Sequence, residues 1–127
     1  MSRAVLDASA LLALLGGETG ASEVERLLPD VAMSTVNLAE VAGKLAEKGM
    51  PEPEVRRVAD GLGIEVVDFD ADQAYQTGFL RPATKAIGLS LGDRACLALA
   101  RRLGVPAITT DRVWAGLRVG AVVRVIR

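Results

Sequence analysis

The sequence predicts an α/β fold in which a parallel sheet lies between layers of helices, and three observations carry that prediction. Half of the residues are hydrophobic but only 3% are aromatic. The core must therefore be built from Ala, Leu, Val and Ile, the composition of short buried strands covered by helices. Short apolar runs alternate with helical patterns along the whole chain, the rhythm of strand–helix–strand units. The length, 127 residues, suits a single core. No repeat, low-complexity tract or linker-like stretch interrupts it, so residues 1–127 are read as one domain.

The elements follow in order. AVLD (4–7) reads as a buried strand and SALLALLG (9–16) as the helix after it. GGETG (16–20) is a loop, and SEVERLL (22–28) is a short helix ended by Pro29. VAMS (31–34) is a second strand. From 36 to 48 the positions Leu38, Val41, Ala42 and Leu45 form one apolar helical face, which Gly49 stops. EVRRVADGL (54–62) is a helix after a Pro-containing loop, and IEVVDF (64–69) a third strand. ADQAYQTGFLRPATK (71–85) starts as a helix and breaks near Pro82. GDRACLALARRLG (92–104) is a helix without charge from Ala95 to Ala100, so it is buried on most of its circumference. PAITT (106–110) and AVVRVI (121–126) are the fourth and fifth strands.

Composition excludes several functions. With no histidine and one cysteine, Ser–His–Asp and Cys–His catalysis and Cys/His zinc sites are impossible. Any chemistry falls to carboxylates, hydroxyls, Lys or Arg, with or without a cation that accepts oxygen ligands. The net charge of −1 gives no bulk attraction to nucleic acid, although 12 of the 15 basic residues are Arg, which suits local phosphate contacts. The few aromatic residues argue against base-stacking platforms. The lone cysteine fits a reducing compartment, and neither a secretory leader nor a membrane span is read, so a cytoplasmic location is expected.

Ligands of parallel α/β sheets bind beyond the carboxyl ends of the strands. Asp7 closes the first strand and Asp111 follows the fourth. Glu40 lies in the first two turns of the helix after the second strand and can point toward the same edge. Asp93 heads the buried helix. A simple crossover would start that helix at the other end of the sheet, and the stretch from Pro82 to Gly92 could instead carry the chain back to the active edge. Each acid also has a plain structural reading. Asp7, Asp93 (with Ser90) and Asp111 match helix or turn caps, and Glu40 matches a solvated helix residue.

Other motifs fail. DFDAD (68–72) begins like a calcium loop, but Gln73 stands at its sixth position and Phe79 at its twelfth, so Asp70 or Asp72 is read as a helix cap. Gly43-Lys44 lacks an upstream glycine-rich loop. Cys96 reads as a small core residue. A phosphorelay receiver needs paired acids after the first strand and a Lys after the fifth, whereas Asp7 stands alone and only Arg127 follows the fifth strand.

VLDASALLALL, STVNLAEV, LSLGDRACLALARRLG and AITTDRVW together resemble a PIN-domain ribonuclease, specifically the VapC-type toxin of prokaryotic toxin–antitoxin pairs. The resemblance covers nearly the whole chain in the family's order. It implies a PIN-like three-layer sandwich with a parallel five-stranded sheet, and it brings Asp93 into the acidic cluster. The family's acidic quartet carries over onto Asp7, Glu40, Asp93 and Asp111, with Asp7 and Asp93 as primary metal ligands. Ser9 and Thr110 match hydroxyl positions beside the site, and Arg94 and Arg112 are candidate phosphate contacts. The implied cofactor is Mg2+ or Mn2+, and the implied reaction is endonucleolytic RNA cleavage leaving a 5′-phosphate and a 3′-hydroxyl. The implied partners are an RNA substrate, a cognate antitoxin inserting a C-terminal segment across the cleft, and a second copy in a homodimer. Tyr75 and Phe79, spaced i, i+4, can contribute to a partner surface, with core packing expected for at least one of them. A catalytically silent PIN scaffold that binds RNA or protein is the alternative.

Overall fold

The computed structural model describes residues 1–127. Its strands are β1 (Ala4–Leu6), β2 (Val31–Ser34), β3 (Glu65–Val67), β4 (Ala107–Thr109) and β5 (Val123–Val125). Its helices are α1 (Ala8–Leu15), α2 (Ala21–Leu27), α3 (Thr35–Glu47), α4 (Glu52–Leu62), α5 (Ala71–Phe79), α6 (Arg81–Thr84) and α7 (Leu91–Leu103). One 3-10 turn, Arg112–Trp114, lies between β4 and β5. All strands pair in parallel, in the order β3-β2-β1-β4-β5. The five expected strands are all present, and Pro82 breaks the helical run at the start of α6.

Side chains alternate across the sheet, so each strand feeds two cores. Ala4, Leu6, Val31, Met33 and Ile108 face α1–α4. Val5, Ala32 and Ala107 face the other way, where Cys96–Ala100 of α7 pack with Leu80, Leu89 and Trp114. β1, β2 and β4 are fully buried. β3 and β5 are the edges and are partly open to solvent, which is why Glu65 and Arg124 are tolerated there. Trp114 is enclosed in the second core, although it belongs to a short turn. No helix is long and apolar enough to cross a membrane.

The path of α7 corrects the crossover expectation. Gly104 ends α7 in the left-handed region (φ 68°), and only Val105 and Pro106 separate it from β4. A helix that feeds its strand through so short a turn must run antiparallel to it. The first turn of α7 therefore lies at the carboxyl edge of the sheet, not at the opposite end. The chain changes direction at β1, with β2 on one side and β4 on the other. That switch point is where the carboxyl edge opens a crevice.

Candidate active site

Asp7 is the centre of this edge. It caps α1, its Oδ1 accepting from the Ala10 N–H at 2.8 Å and the Ser9 hydroxyl at 2.7 Å. Its Oδ2 accepts from the Thr109 hydroxyl at 2.6 Å. The β1–β4 register makes this pairing: Val5 sits opposite Ala107 and Leu6 opposite Ile108, so Asp7 comes level with Thr109. Only 4% of Asp7 is exposed. Burial raises its pKa above the usual carboxylate value, and the Asp93 charge pushes in the same direction. The hydrogen bonds from Thr109, Ser9 and Ala10 oppose that rise without cancelling it. No Lys or Arg is among the groups acting on Asp7.

Asp93 sits half-buried in a complete capping box. Its Oδ2 accepts from the Ser90 N–H at 2.9 Å, and Ser90 Oγ accepts from the Asp93 N–H at 3.1 Å. Glu40 is exposed on α3, where the Asn37 amide donates to its Oε1 at 2.9 Å. The same Asn37 nitrogen donates to the Gly92 carbonyl at 3.0 Å, tying the first turns of α3 and α7 together. Gly92 leaves room for the Glu40 carboxylate in this position, since a methyl group there would displace it. The buried Cys96 thiol lies within electrostatic reach of Asp7, Asp93 and Glu40. Burial first, then the charges of Asp7, Asp93 and Glu40, hold its pKa well above the ordinary thiol value.

Asp111 stands at the rim, exposed, with Oδ1 accepting from the Val113 N–H at 2.9 Å as cap of the 3-10 turn. It joins the centre through its backbone, the Asp111 N–H donating to Thr109 Oγ1 at 3.1 Å. Asp7, Asp93 and Asp111 thus fulfil their cap readings, and Glu40 is the exposed helix residue it was read as. A cap uses one carboxylate oxygen. Asp93 Oδ1, Asp111 Oδ2 and Glu40 Oε2 have no hydrogen-bond partner within the protein.

The hydroxyl positions divide differently from expectation. Ser9 is at the site. The threonine against Asp7 is Thr109, because strand alternation points it inward. Thr110 contributes its N–H to Ser9 Oγ at 3.0 Å. The two arginines also separate. Arg94 Nη1 donates to the Thr77 carbonyl at 3.1 Å and so anchors α7 to α5. Arg112 Nε donates to the Arg127 carbonyl at 3.2 Å, leaving its outer nitrogens without protein acceptors. Tyr75 and Phe79 are 66% and 69% exposed with ring centroids 6.2 Å apart, so neither packs in the core as expected for one of them. Asp70, not Asp72, caps α5, accepting from the Gln73 N–H at 2.8 Å.

Sequence reasoning missed Asn37 and Thr109. Asn37 was detectable as a polar residue one turn before Glu40 on an otherwise apolar helix face, and Thr109 by counting the strand's alternation from Ile108.

Oxygen-only donors with free lone pairs suit a hard cation and no other common metal. No three acids are close enough here to enclose one ion. The donor set therefore fits magnesium's habit of binding through one or two carboxylates and keeping its waters.

A five-stranded parallel sheet covered by helices on both faces, with capping acids at its carboxyl edge, is the architecture of a PIN-type α/β protein. The family model described as PIN domain matches residues 4–119. Ribonuclease VapC42 of Mycobacterium tuberculosis is 34% identical, over 82% of this chain and 87% of that protein. A toxin–antitoxin complex from Klebsiella pneumoniae contains a chain of similar fold, with TM-score 0.77 and 23% identity over 98% of both chains. DNA-bound VapBC from Salmonella typhimurium aligns with TM-score 0.74 and 21% identity over 100% of both. The chain belongs to the PIN domain family, and within it to the VapC group.

Proposed function

We propose that this protein is the toxin of a VapBC-type pair, an endoribonuclease that uses Mg2+ or Mn2+ held by Asp7 and Asp93, with Glu40 and Asp111 holding metal-bound waters rather than ligating the ion directly. One observation carries the proposal. Asp7 is a buried carboxylate facing a second carboxylate, with no basic side chain acting on it. Such a pair calls for a mobile counter-charge, which a divalent cation supplies. The likeness to a relative named ribonuclease VapC42 supports RNA as the substrate.

When bound, the cation supplies a polarised water and neutralises charge on a scissile phosphate, which meets the need for a nucleophile in a chain without histidine. The protein's own residues do the rest. Ser9 and Thr109 hold Asp7 in one orientation and keep it ionisable against its burial. Asn37 fixes Glu40 against Gly92. Arg112, with its outer nitrogens free, is placed one residue from Asp111 to contact a phosphate.

An antitoxin partner is part of this reading, since similar folds occur in solved toxin–antitoxin complexes. An apolar cleft of about 470 Å³ between α3 and α4, lined by Leu38, Ala39, Ala42, Val55 and Ala59, opens on the helix that carries Glu40. The exposed Tyr75–Phe79 pair supports a homodimer, since such pairs prefer to be covered.

Calorimetric titration of Mn2+ into antitoxin-free protein, wild type against Asp93→Asn, tests the site without knowing the RNA. Saturable binding that the variant loses is expected. Equal binding in a folded variant would reduce Asp93 to a helix cap. A wild type that binds metal at the acids but leaves every RNA intact would favour the silent scaffold.

A further inference from the structure

At the other end of α7 lies a cavity that the acidic edge does not use. α5 packs antiparallel along α7. Arg94 in the first turn of α7 reaches Thr77 near the end of α5, while the start of α5 meets Arg101 and Arg102. Between them is a space of about 250 Å³, lined among others by Gln73, Gln76, Leu80, Arg101 and Arg102. That is below the usual size of a drug-sized ligand site and large enough for a phosphate group.

Three features of this cavity are unusual for a helix–helix seam. First, Gln73 is 2% exposed, yet its side-chain amide makes no hydrogen bond within the protein and opens into the cavity. Second, the same face of α5 continues inward to the Thr77 hydroxyl, which is fully buried and unpartnered, beside an equally unpartnered Arg94 Nε. Third, neither Arg101 nor Arg102 takes part in any of the chain's ion pairs. Asp72 lines the cavity too, but it forms no ion pair with either arginine; both arginines are exposed, and the Arg101 side chain runs past Gly120.

From these observations we infer that the α5–α7 cavity binds a phosphate-type oxyanion, held by the Arg101 and Arg102 guanidinium groups and by the Gln73 amide. Paired guanidiniums match the geometry of phosphate oxygens, and Gln73 donates where no protein acceptor is offered. The cavity lies roughly 12 Å along α7 from Asp93, eight residues at the helical rise. The phosphate can therefore come from a nucleic-acid strand passing the acidic edge or from a free phosphate. The inference does not depend on the metal at that edge.

The test is calorimetric titration of inorganic phosphate into the full chain at fixed ionic strength with EDTA present, which removes any contribution from cation-loaded acids. Saturable millimolar binding to the wild type is expected. Arg101→Gln/Arg102→Gln should weaken it at least tenfold, and Gln73→Leu severalfold, with circular dichroism confirming that both remain folded. No saturable binding to the wild type, or the same affinity in a folded double variant, overturns the inference and leaves an adventitious ion only. Competition then identifies the source. Displacement of phosphate by an eight-nucleotide RNA with hydroxyl ends assigns the site to backbone phosphodiesters. Displacement only by its 5′-phosphorylated form assigns it to a terminal phosphate, and displacement by neither assigns it to free phosphate.

Discussion

The two ends of α7 carry opposite charge and are built in opposite ways. At the N-terminal end, Ser90 and Asp93 exchange both capping hydrogen bonds, Gly92 admits Glu40, and Asn37 ties the turn to α3. At the C-terminal end, Arg101 and Arg102 have no carboxylate partner and the Gln73 side-chain amide makes no hydrogen bond. Both charge signs suit the helix macrodipole, so charge placement alone separates nothing. The lesson lies in the state of the polar atoms. One end has its acids held in place by caps and by Asn37, although Arg94 Nε stays unpaired there, and the other has arginines with no acid to hold.

The largest effect should come from the assigned end. Asp93→Asn keeps an acceptor for the cap and should cost little stability, but it should lower RNA cleavage on the order of a thousandfold, the scale on which one preorganised electrostatic contact acts. A gel assay with and without chelator reads it. If cleavage persists, the two ends differ only structurally. Next come the residues behind the acids. Asn37→Ala removes both of the amide's hydrogen bonds and should weaken Mn2+ binding roughly ten- to a hundredfold, as loss of a ligand-orienting partner does. Gly92→Ala should do the same by displacing the Glu40 carboxylate, with little loss of stability in denaturant melts because the exposed Glu40 side chain can swing aside.

Asp7→Asn should work in the opposite direction on stability. The amide oxygen can keep Ala10 and Ser9 while the amide nitrogen donates to Thr109, and the buried charge is gone. In chelator at neutral pH the variant should be more stable than the wild type in denaturant melts, while metal binding is lost. The sign follows from the raised pKa of Asp7. The stability that its protonated form contributes is complete below the unfolded value near 3.8 and is lost as pH rises through the higher folded value. The gap between variant and wild type should therefore close in acid and widen toward neutrality. The smallest effect belongs to the far end. Without phosphate, Arg101→Gln/Arg102→Gln should change stability by less than about 1 kcal/mol, since only macrodipole contacts are lost. A larger loss would mean these arginines hold the fold together, and the contrast would fail.

Much of this was legible in the sequence because the strands are short aliphatic runs and their helices carry capping residues at the expected places. Asp7, Ser90 with Asp93, Asp70 and Asp111 could all be read as caps from spacing. What was hidden is three-dimensional. The direction of α7 follows from the three residues before β4, not from the length of the stretch preceding the helix. The choice of Thr109 over Thr110 follows from pleat and register. The polarity of the α5–α7 seam was masked because Gln73 and Thr77 look like ordinary helix-surface residues, and only packing shows that they are buried. Tyr75 and Phe79 erred the other way: they look like core residues and lie on the surface.

Trp114, the chain's single tryptophan, is sealed in the second core although it stands at the end of a turn whose cap is Asp111. The molecule therefore carries its own optical reporter. The indole's emission should lie toward the blue in the folded state. It should respond when Asp111 exchanges its hold on the Val113 amide for another partner. An event at the rim of the acidic edge can thus be followed by light, in an unlabelled protein and in real time.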